Sequence, residues 1–235
     1  MNDFPLNRQV VELSHALTPA MPQWPGDPRL ELEPVANLQE NGFFLRRFSM
    51  GEHTGTHVNA PAAFLEQGAG IDEYPAGSLV APAIVIDVTA EARDNPNYLL
   101  RVDKLLAWER EHGPVPPRTL TLLYTGWQDK WDSPDDYLGK SDDGAMHFPG
   151  FDAQSTGMLL TQRGVAGLGI DTHGVDGGQD TAFSINRRVL EQPRLVLENL
   201  SNLDKLPPLG AVLVVGILRL KGGSGSPASV LAFLP

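Results

Sequence analysis

Glycine and proline interrupt this chain too often for long helices: 24 and 20 of its 235 residues. Short strands joined by turns suit that punctuation better. Strands are predicted at Val10–Leu13, Leu30–Pro34, Phe43–Met50, Ala83–Val88, Leu120–Tyr124, Val165–Ile170, Leu195–Glu198, Val212–Leu218 and Ser229–Leu234. Helices are predicted at Val102–His112, Asp152–Arg163 and Asn186–Glu191, the second ending at Gly164. Strands outnumber helices, so the chain reads as one α/β domain, 1–235, with a mixed central sheet and flanking helices. Asp132–Gly144, with five acidic residues, reads as a mobile surface loop.

Hydrophobic residues make up 41% and charged residues 20%, enough to bury a core. The formal net charge of -11 argues against nucleic acid and anionic membranes as partners, since both need clustered Lys and Arg. There is no cysteine, so disulfides, thiolate metal sites and cysteine nucleophiles are excluded. The N-terminal MNDFPLNRQVVELSHALTP has no basic segment followed by an apolar run, and no stretch of about 18 apolar residues follows. A cytoplasmic protein with a small-molecule substrate is the expectation. Gly222–Ser226 is glycine-rich, but no helix follows it as a phosphate loop requires. No G-x-S-x-G marks a serine nucleophile.

The chemistry-bearing stretch is His53-Thr54-Gly55-Thr56-His57-Val58-Asn59-Ala60-Pro61-Ala62-Ala63-Phe64. Two of six histidines lie four apart, with a side-chain oxygen two residues later. Imidazole and oxygen ligands bind zinc and related divalent metals. Backbone-bonded histidines are the other reading of the same spacing. Gly55 and Pro61 oppose a helix, which leaves a loop following the Phe43–Met50 strand. His173, next to a predicted strand end and close to Asp171 and Asp176, is a second candidate. Trp24 and Trp127 lie in turn-rich loops where an aromatic wall for a substrate could form.

The pattern H-x-G-T-H-x-N-x-P-x-A-F resembles the H-x-G-T-H-x-D-x-P-x-H-F signature of the bacterial kynurenine formamidase and cyclase family, isatin hydrolases included. Further segments agree in order: Trp24-Pro25-Gly26-Asp27, Tyr124-Thr125-Gly126-Trp127, Phe148-Pro149-Gly150, Gly169-Ile170-Asp171-Thr172, Val196-Leu197-Glu198-Asn199-Leu200 and Gly225-Ser226-Pro227. The resemblance implies a swivelling β/β/α fold, a homodimer, and amide cleavage by water on one or two divalent metals, commonly zinc or manganese. The family's first two histidine ligands fall on His53 and His57, its aspartate on Asn59, and its glutamate on Glu198. Two further histidine positions fall on Ala63 and Asn186, and His173 stands where a proline is usual. One divalent metal on His53, His57 and Asn59 is therefore expected, with His173 and Glu198 catalytic and Trp24 and Trp127 beside the substrate. A ligand-binding protein without turnover, and a metal-free lyase using His173 with Asp171, are the alternatives.

Overall fold

The computed structural model describes residues 8–235; the first seven residues of the N-terminal reading lie outside them. Twelve strands follow in chain order: β1 Val10–Glu12, β2 Glu31–Ala36, β3 Leu45–Ser49, β4 His57–Asn59, β5 Val80–Asp87, β6 Leu99–Leu100, β7 Leu120–Tyr124, β8 Gly150–Phe151, β9 Gly167–Ile170, β10 Leu195–Glu198, β11 Leu209–Ile217 and β12 Gly225–Phe233. Eight of them form a mixed sheet in the order β1-β12-β11-β5-β7-β9-β10-β4. β5, β7, β9 and β10 run parallel. β4 pairs antiparallel with β10 on one side and with the start of β12 on the other, which closes the sheet on itself.

Strand alternation separates two cores. Leu120, Leu122, Leu195, Leu197 and Val58 join Leu213 and Val230 in one. Leu123, Leu168, Ile170 and Val196 turn the other way, toward Leu105, Trp108, Leu159 and Val189 of the helical layer. The helix Val102–His112 presents Leu105 and Trp108, three residues apart on one face, and Trp108 Nε1 donates to the Val85 carbonyl at 2.8 Å. Gly167 sits where β9 and β10 approach closely. A Cβ there would lie 1.9 Å from the Leu195 carbonyl oxygen, so no side chain fits.

The expected strands and helices are present, most of them with shifted ends. The Asp152–Arg163 segment has Asp152 as its N-cap, accepting from the Gln154 and Ser155 amides. Its α-helical part is Ala153–Met158, and Leu159–Arg163 continues as a wider π-turn to Gly164. Two expectations need correction. His57–Asn59 is a buried strand rather than part of a loop. The acidic segment contains the helix Pro134–Leu138, pinned by the fully buried Tyr137. The Tyr137 hydroxyl donates to the Asp171 carbonyl at 2.8 Å and lies 2.9 Å from Asn199 Oδ1. Tyr137 thus anchors the helical part of the segment, while residues 140–144 stay exposed.

The β2–β3 hairpin forms a separate two-stranded sheet. Val35, Leu38, Phe43, Phe44, Leu45 and Phe48 on or beside it are all exposed. Among the described residues no helix is long and apolar enough to cross a membrane.

Candidate active site

Strand parity builds the centre. Val58 points into one core, so His57 and Asn59 point out of the opposite face of β4. On β10, Leu195 and Leu197 fill that same core, which sends Glu198 to the other side. The register then places Glu198 directly opposite His57 and Val196 opposite Asn59. Residues 141 and 137 positions apart thereby become cross-strand neighbours.

Glu198 is buried and receives four hydrogen bonds. Oε1 accepts from the Val175 amide at 2.9 Å and from Asn186 Nδ2 at 2.9 Å. Oε2 accepts from Asn59 Nδ2 at 2.9 Å and faces His57 Nε2 at 3.1 Å. Burial alone would raise this carboxyl. The hydrogen bond and charge of His57, with Asn186 and Val175, outweigh it and hold the group below the usual carboxylate range. His57 Nδ1 lies 2.9 Å from the Gly55 carbonyl, which can only accept. Nδ1 therefore donates to that carbonyl, and Nε2 is the ring atom that faces the Glu198 carboxylate.

The network extends outward from this pair. Asn59 Nδ2 also donates to Asn186 Oδ1 at 2.9 Å, and Asn186 Nδ2 to Asp176 Oδ2 at 2.8 Å. Asp176 takes the Ile185 amide at 2.6 Å as well, and burial pushes its carboxyl up to about 6. His53 Nδ1 lies 2.7 Å from Asn59 Oδ1, and its Nε2 lies 2.9 Å from Ser224 Oγ. Burial, then the His57 charge, lowers the His53 imidazole. Asn199 secures the loop before His57. With φ of 56° it occupies the left-handed region that asparagine tolerates, and its Nδ2 donates to the Gly55 carbonyl at 2.8 Å. Gly55 is itself at φ 65°, and a Cβ there would meet Leu17 at 2.4 Å.

Beside this network lies a cavity of about 190 Å³. Its apolar wall is Trp24, Phe64, Phe148 and Phe183. Trp24 meets Phe148, Phe183 and His173 at centroid distances of 6.3, 5.9 and 6.0 Å. Phe183 holds φ 54°, an uncommon backbone state for an aromatic residue, at the start of the helix Ser184–Val189. His173 lines the same cavity, with Tyr137 edge-on at 4.8 Å. Its Nε2 is buried with no hydrogen-bond partner. Burial, reinforced by the His57 charge, pushes the ring down to about 3, so His173 is neutral.

His53, His57, Asn59, His173, Glu198 and Trp24 thus share one cavity. Trp127 does not: it is buried against Tyr137 and Phe148, with Nε1 donating to the Tyr137 carbonyl at 2.7 Å. Its expected place beside a substrate is corrected to a core role. Asp171 is also elsewhere engaged, Oδ1 accepting from the Thr125 amide at 3.0 Å and hydroxyl at 2.7 Å. It ties the Thr-Gly-Trp turn to the end of β9 and offers His173 no carboxylate. The cavity residues Asp27, Phe64, Asp180 and Phe183, and Ser224 behind His53, carried no local signal in the sequence beyond their motif neighbours. Phe64 and Asp27 at least lie inside the recurring motifs.

The metal implied for His53, His57 and Asn59 can be tested on donor chemistry. Zinc centres take three or four protein lone pairs. Among the described residues no three His, Asp or Glu side chains are grouped so as to hold a metal ion. His57 Nε2 and both Glu198 oxygens are engaged with each other and with amide donors. Ala63 lines the cavity without any donor. This donor set does not fit a resident divalent metal.

A closed mixed sheet carrying a histidine–carboxylate centre beside an aromatic-walled cavity is the build of a small-molecule enzyme. The family described as "Putative cyclase" matches residues 11–177, and the chain belongs to that family. An isatin hydrolase of Roseibium aggregatum is 31% identical, over 97% of this chain and 92% of its own. A kynurenine formamidase of Salinibacter ruber is 29% identical, over 93% and 94%. The solved structure of isatin hydrolase A from Ralstonia solanacearum superimposes with a TM-score of 0.92 at 35% identity, covering 97% of this chain and 93% of that one.

Proposed function

We propose that this chain is a hydrolase of a small, neutral, aromatic amide or lactam. The observation that carries the reading is His173, a neutral imidazole that lines the aromatic cavity with its Nε2 buried and unpartnered. The similarity to proteins named isatin hydrolase and kynurenine formamidase supports cleavage of a carbon–nitrogen bond. About 190 Å³ suits a ligand of one or two rings, smaller than most drug-sized ligands. Asp27 and Asp180 line the cavity and, among the described residues, no Lys or Arg does, which disfavours an anionic substrate.

The ring is held between Trp24, Phe148 and Phe183, with the carbonyl turned toward the polar wall. His173 accepts a proton from water as its oxygen attacks the carbonyl carbon, then gives it to the departing nitrogen. Its low proton affinity in the empty cavity rises when negative charge develops on the substrate, which supplies the imidazolium with a counter-charge. The carboxylate product is repelled by the same acidic lining and leaves.

Assay with isatin as the neutral bicyclic probe and with a ring-carboxylated analogue tests this. Ring opening of isatin is expected, with kcat/KM at least about tenfold lower for the carboxylated compound, since an unpaired charge entering an acidic cavity loses more than about 1.4 kcal/mol. Binding of isatin without turnover would instead favour a ligand-binding protein, and no binding of either compound would overturn the reading.

We also propose a homodimer, with the exposed aromatic β2–β3 hairpin as part of the contact. Six large apolar side chains on one projecting arm exceed the scattered exposure normal for a monomer. Light scattering is expected to give twice the 25.5 kDa chain mass; a mass of 25.5 kDa at micromolar concentration would refute it.

A further inference from the structure

We infer that the buried His57–Glu198 contact and two amides do the structural work at this centre that a divalent cation would otherwise do. Buried carboxylates need positive partners. Glu198 has four partners, two of them side-chain amides and one the His57 ring. The Asn186 Nδ2 group uses both hydrogens, on Glu198 and Asp176. The Asn59 Nδ2 group uses both of its own, on Glu198 and Asn186. Asn59 spends its oxygen on His53. Each amide points its positive end at a carboxylate and its oxygen at another donor, so the chain of contacts from Asp176 to His53 closes without an ion.

A cation at this point would have to displace the His57 ring and the amide donors from Glu198, while gaining only an amide oxygen from Asn59. Neutral amide oxygens neither balance a double charge nor bind it tightly. Asn59 is the residue on which the arrangement turns. Its Nδ2 is 2.9 Å from Glu198 Oε2. Asn59→Asp would set two carboxylates at about that separation, and two charges so close must capture a proton or a cation. The inference does not depend on the hydrolase reading, because metal content and melting are measured without substrate.

The experiment compares wild type and Asn59→Asp, each incubated with excess zinc or manganese, dialysed, and measured for metal content and for melting with and without EDTA. Wild type is expected to retain well below one metal per chain, and its melting temperature is expected not to change with EDTA. Asn59→Asp is expected to retain roughly one metal per chain and to melt several degrees lower in EDTA, as follows when a ligand binds only the folded state. Stoichiometric metal in wild type, with melting lowered by EDTA, would overturn the inference. An Asn59→Asp protein that folds but retains no metal would overturn the role assigned to Asn59. Should Asn59→Asp fail to fold, the wild-type metal content and EDTA melt decide the matter alone.

Discussion

Glu198→Ala is expected to destabilise the folded chain by about 3–5 kcal/mol, the range for breaking a buried ion pair from one side. The size follows from what is left behind. His57 would lose its buried carboxylate partner, and the Val175 amide and the Asn59 and Asn186 side chains would each lose an acceptor. Each orphaned donor adds a further desolvation penalty, which water entering the vacated space relieves in part. Glu198→Gln keeps the shape but places an NH2 group where one pair of donors points, so it is expected to fall between wild type and Glu198→Ala. Urea unfolding followed by tryptophan fluorescence measures both. A loss under about 1 kcal/mol for Glu198→Ala would mean that the ion pair is not the keystone of this centre.

The strands were legible because their hydrophobic pattern is local. Leu120–Tyr124 and Leu195–Glu198 appear with the ends that the sequence suggests, and Val102–His112 is a helix stopped by Gly113. β4 was not legible. Three residues after Thr-Gly-Thr and before a proline carry no strand pattern, and its partners come from β10 and β12, far along the chain. The consequence reaches the site. His53 and His57 were visible as a pair, but the sequence spacing could not say that the strand turns His57 onto Glu198. Nor could it show the two asparagines bridging that pair to Asp176, because each amide is interpretable only beside its partners. Trp127 illustrates the opposite error: a motif position suggested a surface for substrate, and Tyr137, placed by a helix in the acidic segment, buries it instead.

His173→Phe is expected to reduce turnover by roughly a hundredfold or more, the usual worth of a positioned proton carrier, while leaving the fold intact. Phenylalanine suits the surroundings, since Trp24, Tyr137 and Phe148 already meet this ring edge-on or tilted. The Nε2 atom has no partner, so removing it strands no neighbour. The same substitution has a pH signature. In the unfolded chain the imidazole binds its proton near 6.5, whereas burial in the fold pushes it down to about 3. Between those values the unfolded state holds the extra proton, so this group withdraws stability from wild type as pH falls below 6.5, by up to about 1.4 kcal/mol per pH unit, and contributes nothing above it. Other buried groups titrate in both proteins, Asp171 and Asp176 among them, and cancel in the comparison. The melting temperature of His173→Phe is therefore expected to decline less than that of wild type from pH 7 to pH 4. Parallel melting curves would show that His173 is already protonated in the fold, and unchanged turnover at pH 7 would remove it as the proton carrier. Loss of turnover with the divergent melting curves together require one thing of the molecule: a neutral imidazole, kept so by its aromatic surroundings until a substrate's developing charge draws a proton onto it.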